Sequence, residues 1–301
     1  MSDRLVGSEM CIRDRHIPFK GGRGGIEIGL KPINEGNWLE IDHLFEAELK
    51  LKKALLQDKK DVVLVSNNDY LDTERELLEL IIDFLKIYHP ESYHFGENSV
   101  TIKKSDQYLH FDDFESPIEL ASLLIQEDLV IMHPQDESFY LEAACVCAPT
   151  RWSLIDKFQK SLTEIHKEVP GYQERLDGRV KTIFKNLPNN RIFERLNWGI
   201  VDDPALFQPV NSKTLVEIEN TDPVNLFLRS ERQTIRKLTK NRSVIFTIRV
   251  HVDSIFSILK NIEHRKDLVE AIQNLEEPMK EYKVIKPFEK KLLNWLKIDH
   301  D

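Results

Sequence analysis

Residues 139–148, FYLEAACVCA, alternate strictly enough to specify a buried strand. Phe139, Leu141, Ala143, Cys145 and Cys147 fall on one face at the period of two that a pleated strand imposes. Pro149 ends the run because its ring removes the donor that a ladder would need. Thr150 then stands where it would cap a helix over residues 151–165. On that helix Ile155, Phe158 and Leu162 make one apolar stripe, and His166, four residues past Leu162, shares it. Pro170 stops the segment. An inward-facing histidine at a helix end can ligate a metal ion or haem iron. As a core or capping residue it needs only one hydrogen bond.

The rest of the chain arranges itself around this unit. Residues 21–25, GGRGG, lack the strand-then-helix context and the Lys-Ser/Thr ending of a phosphate loop, and they read as a flexible turn before a short strand. A helix beginning at Trp38–Ile41 continues through Phe45, Leu49 and Leu55, and a second one follows Asp72 with Leu77, Ile81 and Leu85 at helical spacing. From Ser99 the pattern turns to short strands, with one amphipathic helix over residues 117–126. Residues 129–133 and 139–148 are strands joined by HPQDES. Residues 191–201 are another strand, and residues 225–238 and 243–252 form a hairpin around TKNR. The end is helical. Helices, then an antiparallel sheet with a helix inserted between its strands, then helices again, is an α+β order.

Composition narrows the function. Residues 6–15, VGSEMCIRDR, read as the translation of a sequencing adapter, so residues 1–15 are set aside and expected to be poorly ordered. A net charge of −9 argues against nucleic acid and against an anionic membrane surface as partners. No apolar run approaches the ~20 residues of a membrane helix. No secretory signal precedes the fold, and three cysteines without paired spacing indicate a reducing, cytoplasmic compartment.

Chemistry concentrates on two strands. Cys145-Val-Cys147 has no second pair to complete a zinc set, so both thiols read as core. Arg195 and Asn197 share a face opposite Leu196, Trp198 and Ile200. Arg229, Glu231 and Gln233 share a face opposite Arg232 and Arg236. A polar strand between apolar flanks is either solvated or lines a polar cavity. There is no G-x-S-x-G, H-E-x-x-H or Rossmann fingerprint.

The blocks LKPINEGNWLEID (30–42), CAPTRW (147–152), LTEIHKEVPGY (162–172), RLNW (195–198), LRSERQTIRKL (228–238) and FTIRV (246–250) occur in one order. Together they resemble the catalytic alpha subunit of haem-dependent oxidative N-demethylase. The segments IHKEVP and RSERQT are the specific ones. The one departure is Thr239, near a turn where the family usually has proline.

That resemblance implies a PAS-like antiparallel sheet with a haem-pocket helix, extended by N- and C-terminal helices. Residues 16–98 would then be a helical N-terminal layer, 99–252 the haem-binding core and 253–301 the C-terminal helices. It implies a monooxygenase-type oxidoreductase that removes a methyl group from a small secondary amine such as dimethylamine, using haem b and dioxygen. Electrons would come from reductase subunits that carry flavin and an iron–sulfur cluster, since three cysteines here are too few for a cluster. By position, His166 is the expected iron ligand. Arg195, Asn197 and Glu231 are the candidate catalytic residues on the opposite side of the iron, with Arg229 beside them, and Arg229 and Arg232 are candidates to hold the cofactor. The alternative is a non-catalytic haem-binding PAS-like gas or redox sensor.

Overall fold

The computed structural model describes residues 16–25, 27–210 and 213–297. The expectation made for residues 1–15, and Cys11 with it, lies outside them. Among the described residues the strands are β1 (Lys31–Ile33), β2 (Leu64–Ser66), β3 (Tyr93–Phe95), β4 (Ser99–Ile102), β5 (Gln107–His110), β6 (Asp128–Gln135), β7 (Ser138–Cys145), β8 (Ile192–Val201), β9 (Phe227–Lys237) and β10 (Val244–Ser254). β3, β4 and β5 form a small sheet of their own. The other seven make one antiparallel sheet in the order β1-β8-β9-β10-β6-β7-β2. With helices at both ends of the chain and between β7 and β8, the architecture is α+β.

The β9–β10 hairpin is the spine of this sheet. Its strands pair from Phe227 opposite Ser254 to Lys237 opposite Val244. Alternating Val, Ile and Thr in β10 suit a pleated surface packed on both sides. Arg242 turns the chain in the left-handed region, and Asn241 Oδ1 accepts the Ser243 N–H. Glu76, from the helix Leu71–Tyr88, accepts the backbone N–H of both Thr239 (2.8 Å) and Lys240 (3.0 Å). A proline at position 239 could not make the first of these bonds.

Register sorts the side chains onto two faces. Arg195 stands opposite Gln233 and Asn197 opposite Glu231, so these four share the inner face. Arg232 lies between Leu196 and Arg249 on the outer face. The helices Phe45–Asp58, Leu71–Tyr88 and Pro117–Leu124 cover one half of the outer face, packing Leu49, Leu77, Ile81 and Leu85 over Leu129 and Ile131. Fully burying each such side chain stabilises the fold by about 1.5–3 kcal/mol. The helices Ile262–Asn274 and Glu289–Lys297 cover the other half through Leu268 and Leu292 against Trp198, Ile200 and Leu228. The inner face is covered at one end by Leu162, Phe184 and Leu187 over Val130, Ile235 and Val244.

Three local expectations are corrected. The helix expected over residues 151–165 is a 3-10 turn, Ile155–Lys157, and a single α-helical turn, Leu162–Ile165. Arg151 and Gln159 both adopt positive φ, which no continuous helix accommodates. Residues 38–39 form a bend and 40–42 have no regular structure, and the first long helix starts at Phe45. The glycine run does turn the chain, with Gly21 and Gly22 at positive φ, but it is held by close packing at Gly24. A Cβ on Gly24 would stand 2.1 Å from the Ala271 carbonyl oxygen, so the chain can pass the helix Ile262–Asn274 there only as glycine.

Candidate functional site

The inner face ends in a polar cluster built from three parts of the chain. The first is the turn that carries His166. Ser161 caps the short helix, accepting the Glu164 N–H while the Glu164 carboxylate accepts from the Ser161 backbone, a complete capping box. His166 follows as the C-terminal cap, and its Nδ1 lies 2.8 Å from the Leu162 carbonyl oxygen. A carbonyl only accepts, so Nδ1 carries the proton and Nε2 is left with its lone pair. Gly171, at φ 74°, then reverses the chain. Tyr172 is thereby laid on the imidazole, with ring centroids 4.4 Å apart and planes 14° from parallel.

Electrostatics keep this histidine uncharged. Burial pushes its pKa below the ordinary value, and the charges of Arg195 and Lys157 push the same way, against the Leu162 carbonyl and Asp177. Tyr172 is 5% exposed and its hydroxyl has no hydrogen-bond partner. Burial, helped by Asp177, pushes that phenol well up, so it stays a donor. The Nε of Arg195 is likewise buried without a partner. Burial pulls Arg195 down, while Glu231 and Tyr172 oppose the change.

The second part is the β8–β9 pair. Glu231 accepts three hydrogen bonds, from Thr150 Oγ1 (2.8 Å), Asn197 Nδ2 (3.1 Å) and Gln233 Nε2 (2.9 Å). A carboxylate offers about four acceptor positions, so about one remains on Glu231. Asn197 is oriented from its other end, since Lys283 Nζ donates to Asn197 Oδ1 at 3.1 Å and to the Trp198 carbonyl. Lys283 reaches this point around the edge of β8, which β1 covers only from Ile192 to Glu194. Burial lowers its pKa to about 8, with Glu231 opposing and Arg195 assisting.

The third part is the loop after β7. Arg229, 1% exposed, donates to the carbonyls of Ala148 (2.9 Å), Ala205 (3.0 Å) and Leu206 (2.9 Å), and from Nε to Thr150 Oγ1 (2.8 Å). Thr150 passes its own proton to Glu231. It is therefore a relay in this network and not the cap of a helix.

The structure brings His166, Arg195, Asn197 and Glu231 to one face, and Arg229 behind them. It does not bring Arg232. That guanidinium lies on the opposite face, donating to the Asn37 and Trp38 carbonyls and to Glu194, because alternation along β9 turns it away from Glu231. Arg229 shares the right face, but backbone carbonyls occupy its guanidinium, so it is a positioning residue. Cys145 and Cys147 are buried with their sulfurs 4.0 Å apart, as core thiols. Thr150 was expected only as a helix cap, and neither Tyr172 nor Lys283 was among the expected site residues. An open hollow of about 630 Å³ lined by Ile28, Arg175 and Arg179 contains none of the cluster.

Over residues 29–293 the sequence matches the family described as haem-dependent oxidative N-demethylase, alpha subunit-like. The chain belongs to that family. The match spans nearly the whole described fold and takes in every residue of the inner-face cluster. Among the described residues no helix is long and apolar enough to cross a membrane.

Proposed function

We propose that this chain is the haem-carrying catalytic subunit of an oxidative demethylase for small secondary amines such as dimethylamine, and that the inner-face cluster is its active site. The observation that carries this reading is the state of His166, whose Nδ1 is tied to the Leu162 carbonyl and whose unprotonated Nε2 lies on a face of otherwise polar groups. A neutral imidazole oriented through its second nitrogen is the donor that haem iron takes. The residues fit such a group in a second respect. The Tyr172 hydroxyl and Arg195 Nε are buried donors without partners beside that imidazole, and buried donors of this kind ordinarily have an acceptor. The antiparallel sheet with helices inserted between β7 and β8 supports the PAS-like reading of the fold.

When bound, haem b supplies the activation of dioxygen for oxidising an N-methyl group. With two electrons and two protons, dimethylamine and dioxygen give methylamine, formaldehyde and water. The chain's own residues do the rest. Glu231 receives the substrate ammonium at its remaining acceptor position, in a site where exclusion of water strengthens the pair. Asn197, held by Lys283, sets the orientation of that carboxylate. Arg195 stabilises negative charge that develops on oxygen. Electrons come from separate reductase subunits. The test is formaldehyde release from dimethylamine by the haem-loaded protein supplied with a low-potential reductant. Stoichiometric release that falls sharply in Glu231→Gln supports the reading. Haem loading without formaldehyde release, with or without that substitution, overturns it in favour of a haem protein that does not turn over.

A further inference from the structure

A second cluster lies on the other side of the sheet and has no part in the chemistry above. His251 stands on β10, 4% exposed, and neither of its ring nitrogens has a hydrogen-bond partner. Its Nε2 lies 3.4 Å from Glu40 Oε2 in an orientation that makes no hydrogen bond. The other oxygen of Glu40 is 2.8 Å from His16 Nε2. One ligand atom from each of the three residues lies within 4.8 Å of the others.

We propose that His16, Glu40 and His251 form a zinc site that fastens the segment before β1 to the outer face of the sheet. Two imidazoles and one carboxylate make a complete three-residue zinc set with a fourth position for water. Zinc at ~2.0–2.2 Å from each ligand holds them about 3–3.5 Å apart, so the widest pair closes by about 1.5 Å at most. The surroundings favour a cation. Glu40, Asp42, Glu48 and Glu127 converge on this region, and Arg232 and Arg249 are the guanidiniums that face them. Arg232 is also shared with Glu194, and Glu127 Oε2 is buried without a partner. A buried histidine with both nitrogens unsatisfied costs stability unless something takes a lone pair.

The test is calorimetric titration of zinc chloride into the full-length protein after dialysis against EDTA, alongside His16→Gln, Glu40→Gln and His166→Ala. The wild-type protein and His166→Ala are expected to bind one equivalent. His16→Gln and Glu40→Gln, checked for folding by circular dichroism, are expected to bind at least about tenfold more weakly. His16 lies in the leading segment and belongs to none of the hydrophobic clusters, so its replacement leaves the core intact. Zinc should raise the melting temperature of the wild type and not of His16→Gln. Absence of binding, equal binding by His16→Gln and the wild type, or binding lost only in His166→Ala would overturn the proposal.

Discussion

The two faces of β8, β9 and β10 use the same residue types in opposite ways. On the outer face Arg249 meets Asp42 at 2.6 Å and Glu48 at 2.7 Å, and Arg232 meets Glu194 at 3.0 Å. The Arg249 pairs join β10 to the N-terminal layer, the Arg232 pair joins β9 to β8, and their work is architectural. On the inner face Arg195 Nε and the Tyr172 hydroxyl have no partner, and His166 keeps one nitrogen free. A charged residue on a buried strand is therefore not in itself a site. What separates these arginines is whether a carboxylate of the protein meets the guanidinium, as it does for Arg249 and Arg232 and, among the described residues, does not for Arg195.

Substitutions on the two faces should diverge accordingly. Arg249→Met should cost the most stability, about 3–5 kcal/mol, because it leaves Asp42 and Glu48 buried without their cation; urea denaturation reads it. Arg195→Met should leave the denaturation midpoint nearly unchanged and lower the demethylation rate by about 10²–10³. If Arg195→Met unfolds the protein as readily as Arg249→Met, the contrast between the faces fails.

The pH dependence comes from the outer face as well. Burial raises the Glu127 carboxyl to about 7, although Arg249 and the Glu40 N–H oppose the rise. Its folded pKa exceeds the unfolded one, so its contribution is fully present below about pH 4.5 and is lost as pH rises through about 7. The loss is on the order of 3 kcal/mol. Glu127→Gln should remove that decline from a plot of stability against pH, while activity per folded molecule stays the same. The smallest expected effect is Thr150→Val. It deletes two hydrogen bonds, the one donated to Glu231 and the one accepted from Arg229 Nε, each worth about 1 kcal/mol, and should raise KM for the amine several-fold with kcat little changed.

Much of this arrangement was legible in the sequence, and the reason is the period of two. Alternation separated Arg195 and Asn197 from Leu196 and Trp198, and it separated Glu231 from Arg232. The hairpin and the histidine four residues past Leu162 were likewise visible. What alternation could not supply was register. Only pairing shows that Asn197 faces Glu231, and that Arg229 sits over the carbonyls of a distant loop. The broken helix was concealed because its left-handed residues, Arg151 and Gln159, are neither glycine nor asparagine. The true start signal, Ser161 with Glu164 three residues on, was present and outranks Thr150 as a cap. Lys283 carried no local signal, since it arrives from a segment whose pattern speaks only of its own packing.

The inner face is proposed to hold haem through His166. The most direct test is the optical spectrum of the protein expressed with a haem precursor, for the wild type and for His166→Ala, before and after addition of dimethylamine. A Soret band that shifts with the amine is expected in the wild type, and loss of haem loading in His166→Ala. A His166→Ala protein that binds haem with an unchanged spectrum would contradict it.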